Sequence, residues 1–367
     1  MNAANKQMTV LYDYPSVSMK FGGVARYICE IMKELHDQVG VKTSILVTDN
    51  VYIQELPYLG VKRLFTPQQF KGKERAQRFI NTIYSNYRVF RNDFDIFHAT
   101  YSDAYHLMKT KKPVIVTIHD MINEKLTEYH GSHAKHIESK KNLIYNSVHI
   151  IAVSENTKKD ILEIYPVSPE KITVIHHGPP EKAEKVPGND YGDYLMYVGR
   201  RTRYKNFFLF AGSIAPILHK NPSLKLICVG HEFTPEEANF LRKINIMNQA
   251  VTIAASDSVL YSLYQHALAF VFPSEFEGFG IPILEAFANE CPVCLSDATC
   301  FPEIAGDAAI YFDPHDSTSI AQSVEKIIND KTLAADLRRK GLERLKLFSW
   351  QRAAADTLSV YKKVYTA

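Results

Sequence analysis

Two glutamates flank a glycine-containing loop in the C-terminal half of the chain. Glu277 opens the segment Glu-Gly-Phe-Gly, and Glu285 follows after seven intervening residues within an apolar stretch. Such carboxylates accept hydrogen bonds from sugar or ribose hydroxyls, but they could also serve a glycoside hydrolase as acid and base, or simply face solvent. Gly278 and Gly280 let the backbone approach a ligand, and a helix beginning at Ile281 would favour an anion at its N-terminus. The segment could therefore hold a diphosphate or a sugar hydroxyl.

A second cluster is basic and directly follows an apolar segment that has the pattern of a strand. After Gly199 come four cations, which are Arg200, Arg201, Arg203 and Lys205. Guanidinium and ammonium groups at the end of a strand would bind a diphosphate and offset the negative charge that grows on a leaving group. Taken alone, the cluster could equally be a solvated basic turn.

Three weaker candidates lie in the N-terminal half. Gly22 and Gly23 precede a predicted helix, which is a weak phosphate signal and often only a tight turn. The G-x-G-x-x-G pattern of a nicotinamide dehydrogenase is missing there. His119 stands beside Asp120 at the carboxyl end of a predicted strand, where open parallel sheets bind ligands, although a lone histidine is often structural. His98 ends another predicted strand and ranks below His119.

Two patterns that could bind a metal have plainer explanations. Asp93 and Asp95 fit the D-x-D motif, but they lead into a predicted strand and can face solvent there. Cys291 and Cys294 fit C-x-x-C, yet no second pair with metal spacing exists, so we interpret them as buried strand cysteines. The five cysteines of the chain do not suggest a disulfide framework and indicate a reducing cytosol. We predict a cytoplasmic protein with no metal and no cofactor.

The elements that must position these residues alternate between strand and helix along the whole chain. A length of 367 residues suits two domains, and the alternation indicates parallel sheets in both. The sequence predicts an α/β protein in which two Rossmann-like domains face each other across a cleft, with the last helix packing back on the N-terminal domain. The predicted boundaries are 1–182, a linker at 183–193, 194–348, and the returning helix at 349–367. The longest apolar runs are too short for a membrane helix.

One stretch of the N-terminal half, residues 61–91, is strongly basic. It holds eight lysines and arginines against one acid, Glu74, with aromatic residues between them. The stretch could meet an anionic membrane surface or a nucleic acid. No nucleic-acid-binding motif accompanies it, so we expect no nucleic-acid partner. The reading we favour from the sequence is a solvated amphipathic helix with its aromatic side chains in the core.

The stretch 271–314 resembles the signature of glycosyltransferase family 4. Its two glutamates stand in an EGFG-x-P-x-LEA setting, and the CPV strand, the FPEIAGDAA segment and the FDP turn follow in order. The basic cluster is similar to the GR-x(4)-K pattern of that family, and the resemblance covers nearly the whole chain. One departure is Glu290, since many relatives have a small residue directly before CPV.

This resemblance implies the GT-B fold and a set of site residues. Glu277 would contact hydroxyls of the transferred sugar, Glu285 would hold the ribose, and Arg200 with Lys205 would hold the diphosphate. His119 would lie near the donor sugar and the reacting centre. The other implied donor-binding residues are Gly22, Gly23, Gly199, Ser256, Gly278, Phe279, Gly280 and Ile281.

The same resemblance implies a reaction. The enzyme would transfer a hexosyl group from a nucleoside-diphosphate sugar to a glycan or lipid-linked acceptor, retaining the anomeric configuration and needing no metal. A GDP-linked, mannose-like donor is favoured, and the basic stretch at 61–91 suggests peripheral membrane contact. Two alternatives remain open, namely a nucleotide-sugar epimerase on the same fold and a catalytically silent nucleotide-sugar-binding protein.

Overall fold

A computed structural model of the protein divides the chain into two compact units. The first comprises Met1–His177 with Trp350–Ala367, and the second comprises Gly178–Ser349. The structure describes residues 7–63, 72–100, 110–126, 133–180, 191–201 and 203–366. The predicted linker at 183–193 falls mostly outside these ranges, and the predicted domain boundaries stay predictions.

Twelve strands in the described residues form two six-stranded sheets, and every pairing is parallel. The strands are β1 Thr9–Tyr12, β2 Gly40–Thr43, β3 Ile96–Ala99, β4 Val114–Ile118, β5 His149–Ala152, β6 Ile172–Val174, β7 Tyr194–Val198, β8 Lys225–Val229, β9 Ala250–Ile253, β10 Ala269–Phe272, β11 Val293–Ser296 and β12 Ala309–Phe312. Most are short apolar runs, as expected for sheets that helices cover on both faces.

Helices connect the strands in both units. They are α1 Tyr14–Val17, α2 Gly23–Leu35, α3 Lys73–Arg91, α4 Ile122–Lys125, α5 Ala134–Asn146, α6 Glu155–Ile164, α7 Phe207–Lys220, α8 Pro235–Lys243, α9 Asp257–His266, α10 Ile281–Ala288, α11 Phe301–Ala305, α12 Ser317–Asn329, α13 Lys331–Leu345 and α14 Trp350–Thr366. Within the described ranges, no helix combines the length and the apolar character that a bilayer-spanning segment requires.

The order of the strands determines where a ligand can bind in each unit. The first sheet has the order β2-β1-β3-β4-β5-β6, and the second has the order β12-β11-β10-β7-β8-β9. The winding reverses between β1 and β3 in the first sheet and between β7 and β10 in the second. Crevices open at such switch points, outside the carboxyl ends of the strands, and this is where open α/β sheets bind ligands.

One apolar segment from which the sequence predicts a strand does not form one. The apolar segment 43–48 has the pattern of a strand, but β2 ends at Thr43. The N–H groups of Leu46 and Val47 both donate to Oδ1 of Asn81, each at 3.1 Å, and Nδ2 of Asn81 donates to the carbonyl of Val47 at 2.8 Å. A side chain of α3 therefore takes backbone hydrogen bonds on one edge of this segment, and the backbone of Lys62 pairs with the Leu46 carbonyl and the Thr48 N–H on the other.

The last helix belongs to the first unit, as the sequence predicts. Helix α14 packs against α2, and the side chains of Trp350, Ala353, Leu358 and Tyr361 lie in the same hydrophobic core as β1 and β3. This core also receives Tyr27 of α2. The chain thus crosses from the second unit back to the first before it ends.

A buried chain of polar side chains fixes α14 to the sheet. Tyr361 donates its hydroxyl proton to the Tyr12 oxygen at 2.9 Å and is hydrogen-bonded to Nδ1 of His98 at 2.5 Å. On the other side of the ring, Nε2 of His98 is 2.8 Å from Oγ1 of Thr117, which is 3.1 Å from the Tyr27 hydroxyl. His98, the lower-ranked candidate of the sequence, is fully buried and links α14 to the sheet.

Because His98 is buried in this row of hydrogen-bonded side chains, we expect the first unit to lose stability in acid. Burial, with a smaller effect of the neighbouring His119, lowers the pKa of His98 from 6.5 to about 3. Between those two values the unfolded chain binds a proton that the folded chain excludes, so stability falls as pH decreases. At pH 5 the loss is about 2 kcal/mol, since each pKa unit is worth about 1.36 kcal/mol.

The measurement is urea unfolding followed by fluorescence of Trp350, the only tryptophan of the chain. For the wild type, we expect a lower urea midpoint at pH 5 than at pH 7. This difference should be smaller in His98→Gln. The exposed His315 provides a matched control, and His315→Gln should keep the wild-type difference. An unchanged difference in His98→Gln would contradict the assignment.

Candidate active site

The switch point of the second sheet brings together the two motifs that the sequence singles out. Lys205 lies in the loop that follows β7, and Glu277 lies in the loop that follows β10. The N–H of Glu275 donates to the carbonyl of Tyr204 at 2.8 Å and joins these loops. The Nζ of Lys205 and Oε1 of Glu277 form an ion pair, and both side chains are mostly buried. A predicted phosphate ligand and a predicted sugar ligand are thus in direct contact.

Residues that carry no motif in the sequence hold this ion pair in place. The N–H of Glu277 donates to Oγ1 of Thr299 at 3.3 Å, and the thiol of Cys300 donates to the carbonyl of Glu277 at 3.3 Å. Thr299 has φ +48°, so the turn before α11 adopts a left-handed conformation there. The ring of Phe272 lies 5.5 Å from Nζ of Lys205 and covers the ammonium. The only sequence signal for Thr299 and Cys300 is their position directly before the FPEIAG segment.

The glycine loop leads into α10 through a conformation that a side chain would not allow. Gly280 has φ +89°, and a Cβ atom at this position would lie 3.0 Å from Cδ1 of Ile283 and 3.1 Å from the ring of Phe301. Gly278, Phe279 and Gly280 are all buried, whereas Ile281, the first residue of α10, is half-buried. Glycine here places the N-terminus of α10 beside Glu277. The predicted contacts of these residues with the donor stay predictions.

Glu285 lies inside α10 and is buried among apolar residues. Its Oε2 accepts a hydrogen bond from the Tyr264 hydroxyl at 3.4 Å. Burial raises the pKa of Tyr264 well above its ordinary value, and the neighbouring charge of Glu285 raises it further, so the phenol stays protonated and donates. Tyr264, a further residue that the sequence analysis missed, orients the carboxylate to which the resemblance gives the ribose.

Within the basic loop, Arg201 has a structural role. Its Nε is 3.0 Å from Oε2 of Glu237, and one terminal nitrogen donates to the carbonyls of His231 and Glu232 at 2.6 and 2.8 Å. The guanidinium lies over the ring of Phe233 at 4.9 Å. Arg201 therefore binds the loop after β8, and its side chain is buried.

Arg200 contrasts with its neighbour, because it is exposed. The hydroxyl of the buried Tyr197 donates to the carbonyl of Arg200 at 2.9 Å and lies 3.5 Å from the carbonyl of Lys205. One buried tyrosine thereby supports the backbone at both predicted diphosphate ligands. Tyr197 carries no functional signal in the sequence, since it has the pattern of an ordinary strand residue.

Two other donor-binding predictions fall on strand ends of the same sheet. Gly199 has φ +116°, and a Cβ atom on the next strand's Gly230 would lie 3.1 Å from the Gly199 carbonyl. The two strand ends approach this closely because Gly230 has no side chain. Ser256 follows β9 and is the exposed N-cap residue of α9, with its hydroxyl 3.0 Å from that of Ser258. Its predicted place near the nucleotide base stays a prediction.

In the first unit, His119 follows β4 and is held as a neutral ring. Burial lowers its pKa to about 4, although Asp120 and a hydrogen bond to Thr100 oppose that effect. Its Nε2 lies 3.1 Å from the Thr100 carbonyl, which can only accept, so Nε2 carries the proton and Nδ1 is an acceptor. The rings of Tyr27 and His177 pack against it at 5.2 and 5.9 Å.

The turn that carries His119 is fixed by a buried lysine. Nζ of Lys140 donates to the carbonyl of Asp120 at 3.0 Å and to Oε2 of Glu124 at 2.9 Å. Lys140 and the Glu124 side chain are both buried, so this ion pair ties α5 to the turn after β4. Neither residue carries a signal in the sequence, because the contact depends on how α4 and α5 meet.

The glycine pair of the first unit begins a helix. Gly22 has φ +120° and its carbonyl accepts the Arg26 N–H at 3.0 Å, while Gly23 is the first residue of α2. Both glycines are exposed, and a Cβ atom at Gly22 would meet nothing within 4 Å. Their predicted role toward the donor sugar, like that of His119, stays a prediction.

The residues of the two metal-like patterns make structural contacts. Asp93 pairs with Lys42 at 3.1 Å, and Oδ2 of Asp95 accepts the Thr9 N–H at 2.9 Å. The Cys291 thiol donates to the carbonyl of Pro292 at 3.5 Å, and burial raises its pKa to about 12. These groups support strand ends in the sheets.

The contrast between Arg200 and Arg201 gives a testable difference. Arg201→Ala leaves Glu237 buried without its guanidinium, so we expect the free energy of unfolding to fall by about 3 kcal/mol. Arg200→Ala removes an exposed side chain and should change stability by less than about 0.5 kcal/mol. Urea unfolding followed by far-UV circular dichroism compares the two variants. Equal losses would show that Arg201 is not the structural member of the pair.

Comparisons with known proteins follow this division of the chain. Residues 21–180 match the family model described as Glycosyltransferase Family 4, and residues 180–344 match the model described as Glycosyl transferases group 1. Together the two matches extend over both units and include Gly22, Gly23 and the loops after β4, β7 and β10.

Curated and solved proteins extend this likeness over the full length. O-antigen chain mannosyltransferase B of Escherichia coli is 23% identical over 97% of this chain and 100% of its own. Sucrose-phosphate synthase of Thermosynechococcus elongatus matches with a TM-score of 0.77 at 16% identity, covering 98% and 100% of the two chains. HepE of Anabaena, solved with UDP and glucose, matches with a TM-score of 0.74 at 18% identity, covering 96% and 100%. The two structures show a shared fold.

Proposed function

The chain belongs to glycosyltransferase family 4 and is an enzyme that transfers sugars, and we propose that it moves a hexosyl group from a nucleoside-diphosphate sugar to an acceptor hydroxyl with retention of configuration and without a metal. The observation that carries this proposal is the ion pair of Lys205 and Glu277 at the switch point of the second sheet. In a nucleoside-diphosphate sugar, a dianionic diphosphate lies next to a polyhydroxyl sugar ring. An ammonium beside a carboxylate matches those two parts.

The diphosphate is assigned to the basic loop and the N-terminus of α10. Lys205 and Arg200 supply positive charge after β7, and the N–H groups at the start of α10 face the same edge of the sheet. These groups offset the charge that grows on the departing diphosphate, which is the work that a metal does in other transferases. Glu277 accepts hydrogen bonds from hydroxyls of the sugar, and Glu285 accepts from the ribose.

Retention follows from the family resemblance and defines the bond changes. The acceptor hydroxyl attacks the anomeric carbon on the face from which the diphosphate leaves. The bond from the anomeric carbon to the phosphate oxygen breaks, the bond to the acceptor oxygen forms, and the acceptor proton passes to a diphosphate oxygen. His119 is neutral above its lowered pKa, so its Nδ1 can accept a hydrogen bond from the sugar without adding charge.

The donor and acceptor are proposed from the relatives. The Escherichia coli relative is named as a mannosyltransferase of the O-antigen chain, so we propose a mannose-like sugar, carried on GDP, and a glycan or lipid-linked acceptor. Such an acceptor places the enzyme in the cytoplasm at a membrane surface, with contact through residues 61–91. HepE was solved with UDP, so a uridine donor must be included in any test.

A donor panel tests the proposed substrate class. We expect GDP-mannose to raise the melting temperature more than GDP alone, and both to exceed UDP-glucose, UDP and dTDP sugars, because only a bound ligand stabilises the folded state. Added EDTA should leave the shift unchanged. No shift with any nucleotide sugar would contradict the proposal.

Product analysis follows with the stabilising donor. A released isomer of the donor without an acceptor would indicate an epimerase, and binding without turnover on any glycan acceptor would indicate a silent binding protein. The proposal expects a glycosidic bond with the anomeric configuration of the donor.

Conservative variants test the two site residues. Lys205→Met and Glu277→Gln should each lower kcat/KM by at least about a hundredfold, because each removes a charge at the reacting centre. Lys340, which pairs with Asp307 at 3.1 Å near the surface, provides a matched control, and Lys340→Met should retain activity. Wild-type kcat/KM in both site variants would refute the site.

A further inference from the structure

Helix α3 turns its apolar side chains toward solvent. Phe79 is 67% exposed, Ile83 is 55%, Tyr87 is 50% and Phe90 is 87%. Their spacings of four, four and three residues place all of them on one face of the helix. We call these four side chains the apolar stripe. An exposed row of large side chains of this kind commonly marks an interaction surface.

The opposite face of α3 is polar and is the face that packs against the unit. Lys73, Asn81 and Ser85 are its buried residues. Lys73 pairs with Asp49 at 2.7 Å, and Asn81 makes its three hydrogen bonds to the backbone at Leu46 and Val47. The stability of the unit therefore does not depend on the apolar stripe.

The interpretation of residues 61–91 that we favoured from the sequence is wrong for α3. It placed the aromatic side chains of 61–91 in the core, but Phe79, Tyr87 and Phe90 are exposed, and only Tyr84 among the described ones is half-buried. Phe70 lies outside the described residues. Helical periodicity predicts that the apolar residues share a face, but it does not tell which face is inside.

Arginines lie on both sides of the stripe. On an ideal helix, Arg75 and Arg78 fall on one side of it and Arg91 falls on the other, whereas Glu74, the only acid of α3, falls well away from it. Arg75, Arg78 and Arg91 are exposed. Arg91 also donates to the Tyr87 hydroxyl at 3.2 Å, which holds a cation beside the stripe.

We propose that α3 lies flat on an anionic lipid bilayer, with the apolar stripe in the interface and the three arginines on lipid phosphates. A helix with an apolar face, a basic border and no spanning length binds membranes in this way. Tyrosine and phenylalanine suit the depth of the headgroups. The inference deepens the membrane contact proposed above for residues 61–91, because it names the helix face and the lipid chemistry, and binding to lipid requires neither the donor nor the acceptor.

Charge favours an anionic bilayer over a second copy of the chain as the partner of the apolar stripe. A symmetric dimer through the stripe would bring Arg75 and Arg78 of one copy toward the same surface of the other, with no acid inside the stripe to compensate them. An anionic bilayer supplies the opposite charge along the whole helix. The lipid surface therefore satisfies both the apolar and the charged groups.

Flotation with vesicles tests the proposal on the full-length protein. We expect binding to phosphatidylcholine vesicles that contain phosphatidylglycerol, little binding to phosphatidylcholine alone, and weaker binding as sodium chloride increases. Arg75→Gln with Arg78→Gln should lower the partition coefficient by roughly thirtyfold, about fivefold for each arginine. Phe79→Ser with Phe90→Ser should lower it by at least about tenfold.

Matched controls change the same chemistry elsewhere. Arg242→Gln with Lys243→Gln removes two exposed cations from α8, and Val259→Ser removes an exposed apolar side chain from α9. Both should bind like the wild type, and all variants should keep its melting temperature, since every changed residue is exposed.

Three results would overturn the proposal. They are binding that does not depend on phosphatidylglycerol, α3 variants that bind as tightly as the controls, and a wild-type dimer that Phe79→Ser with Phe90→Ser converts to a monomer in light scattering. The assay contains no nucleotide sugar. Its failure would therefore leave the proposed sugar transfer standing and remove only the membrane contact, and failure of the donor panel would leave this proposal standing.

Discussion

The ion pair between Lys205 and Glu277 is the contact on which the account of the second unit depends. These residues are far apart in the chain and meet because β7 and β10 are neighbours in the sheet. A mostly buried pair is costly to desolvate, and its attraction offsets that cost only when the surrounding structure supports its geometry. Thr299 and Cys300 give that support to the backbone of Glu277, and Tyr197 gives it to the loop of Lys205. The site is thus held in place before a donor binds.

The first unit uses buried polar contacts for a different purpose. There the chain from Tyr12 through Tyr361 and His98 to Thr117 secures the returning helix α14, and Lys140 secures the turn of His119. Burial lowers the pKa of both histidines, so they are neutral at pH 7, and Lys140 is the cation that lies beside the turn after β4. Further cations of this unit lie on the surface of α3, beside exposed aromatic rings.

Much of the fold could be predicted from the sequence, because eleven of the twelve strands are apolar runs between turn residues, and the helices between them show clear boundaries. The segment 43–48 failed because Asn81, a distant side chain, takes its hydrogen bonds. The motif residues Lys205 and Glu277 could be chosen as a pair of ligands, since each follows a predicted strand. Tyr197, Thr299 and Lys140 could not, because their roles come from contacts between segments that no local pattern connects. The inverted face of α3 escaped prediction for the same reason.

The most direct test of the central claim is a comparison of binding constants. Isothermal titration would measure the Kd of the preferred nucleotide sugar and of its bare nucleotide for the wild type, Lys205→Met and Glu277→Gln. We expect Lys205→Met to weaken the binding of both ligands, because both carry the diphosphate. This division of the ion pair makes a second prediction. It predicts that Glu277→Gln weakens only the nucleotide sugar, because the carboxylate meets the sugar alone. An equal loss for both ligands in Glu277→Gln, or no loss in either variant, would contradict the division of this ion pair between phosphate and sugar.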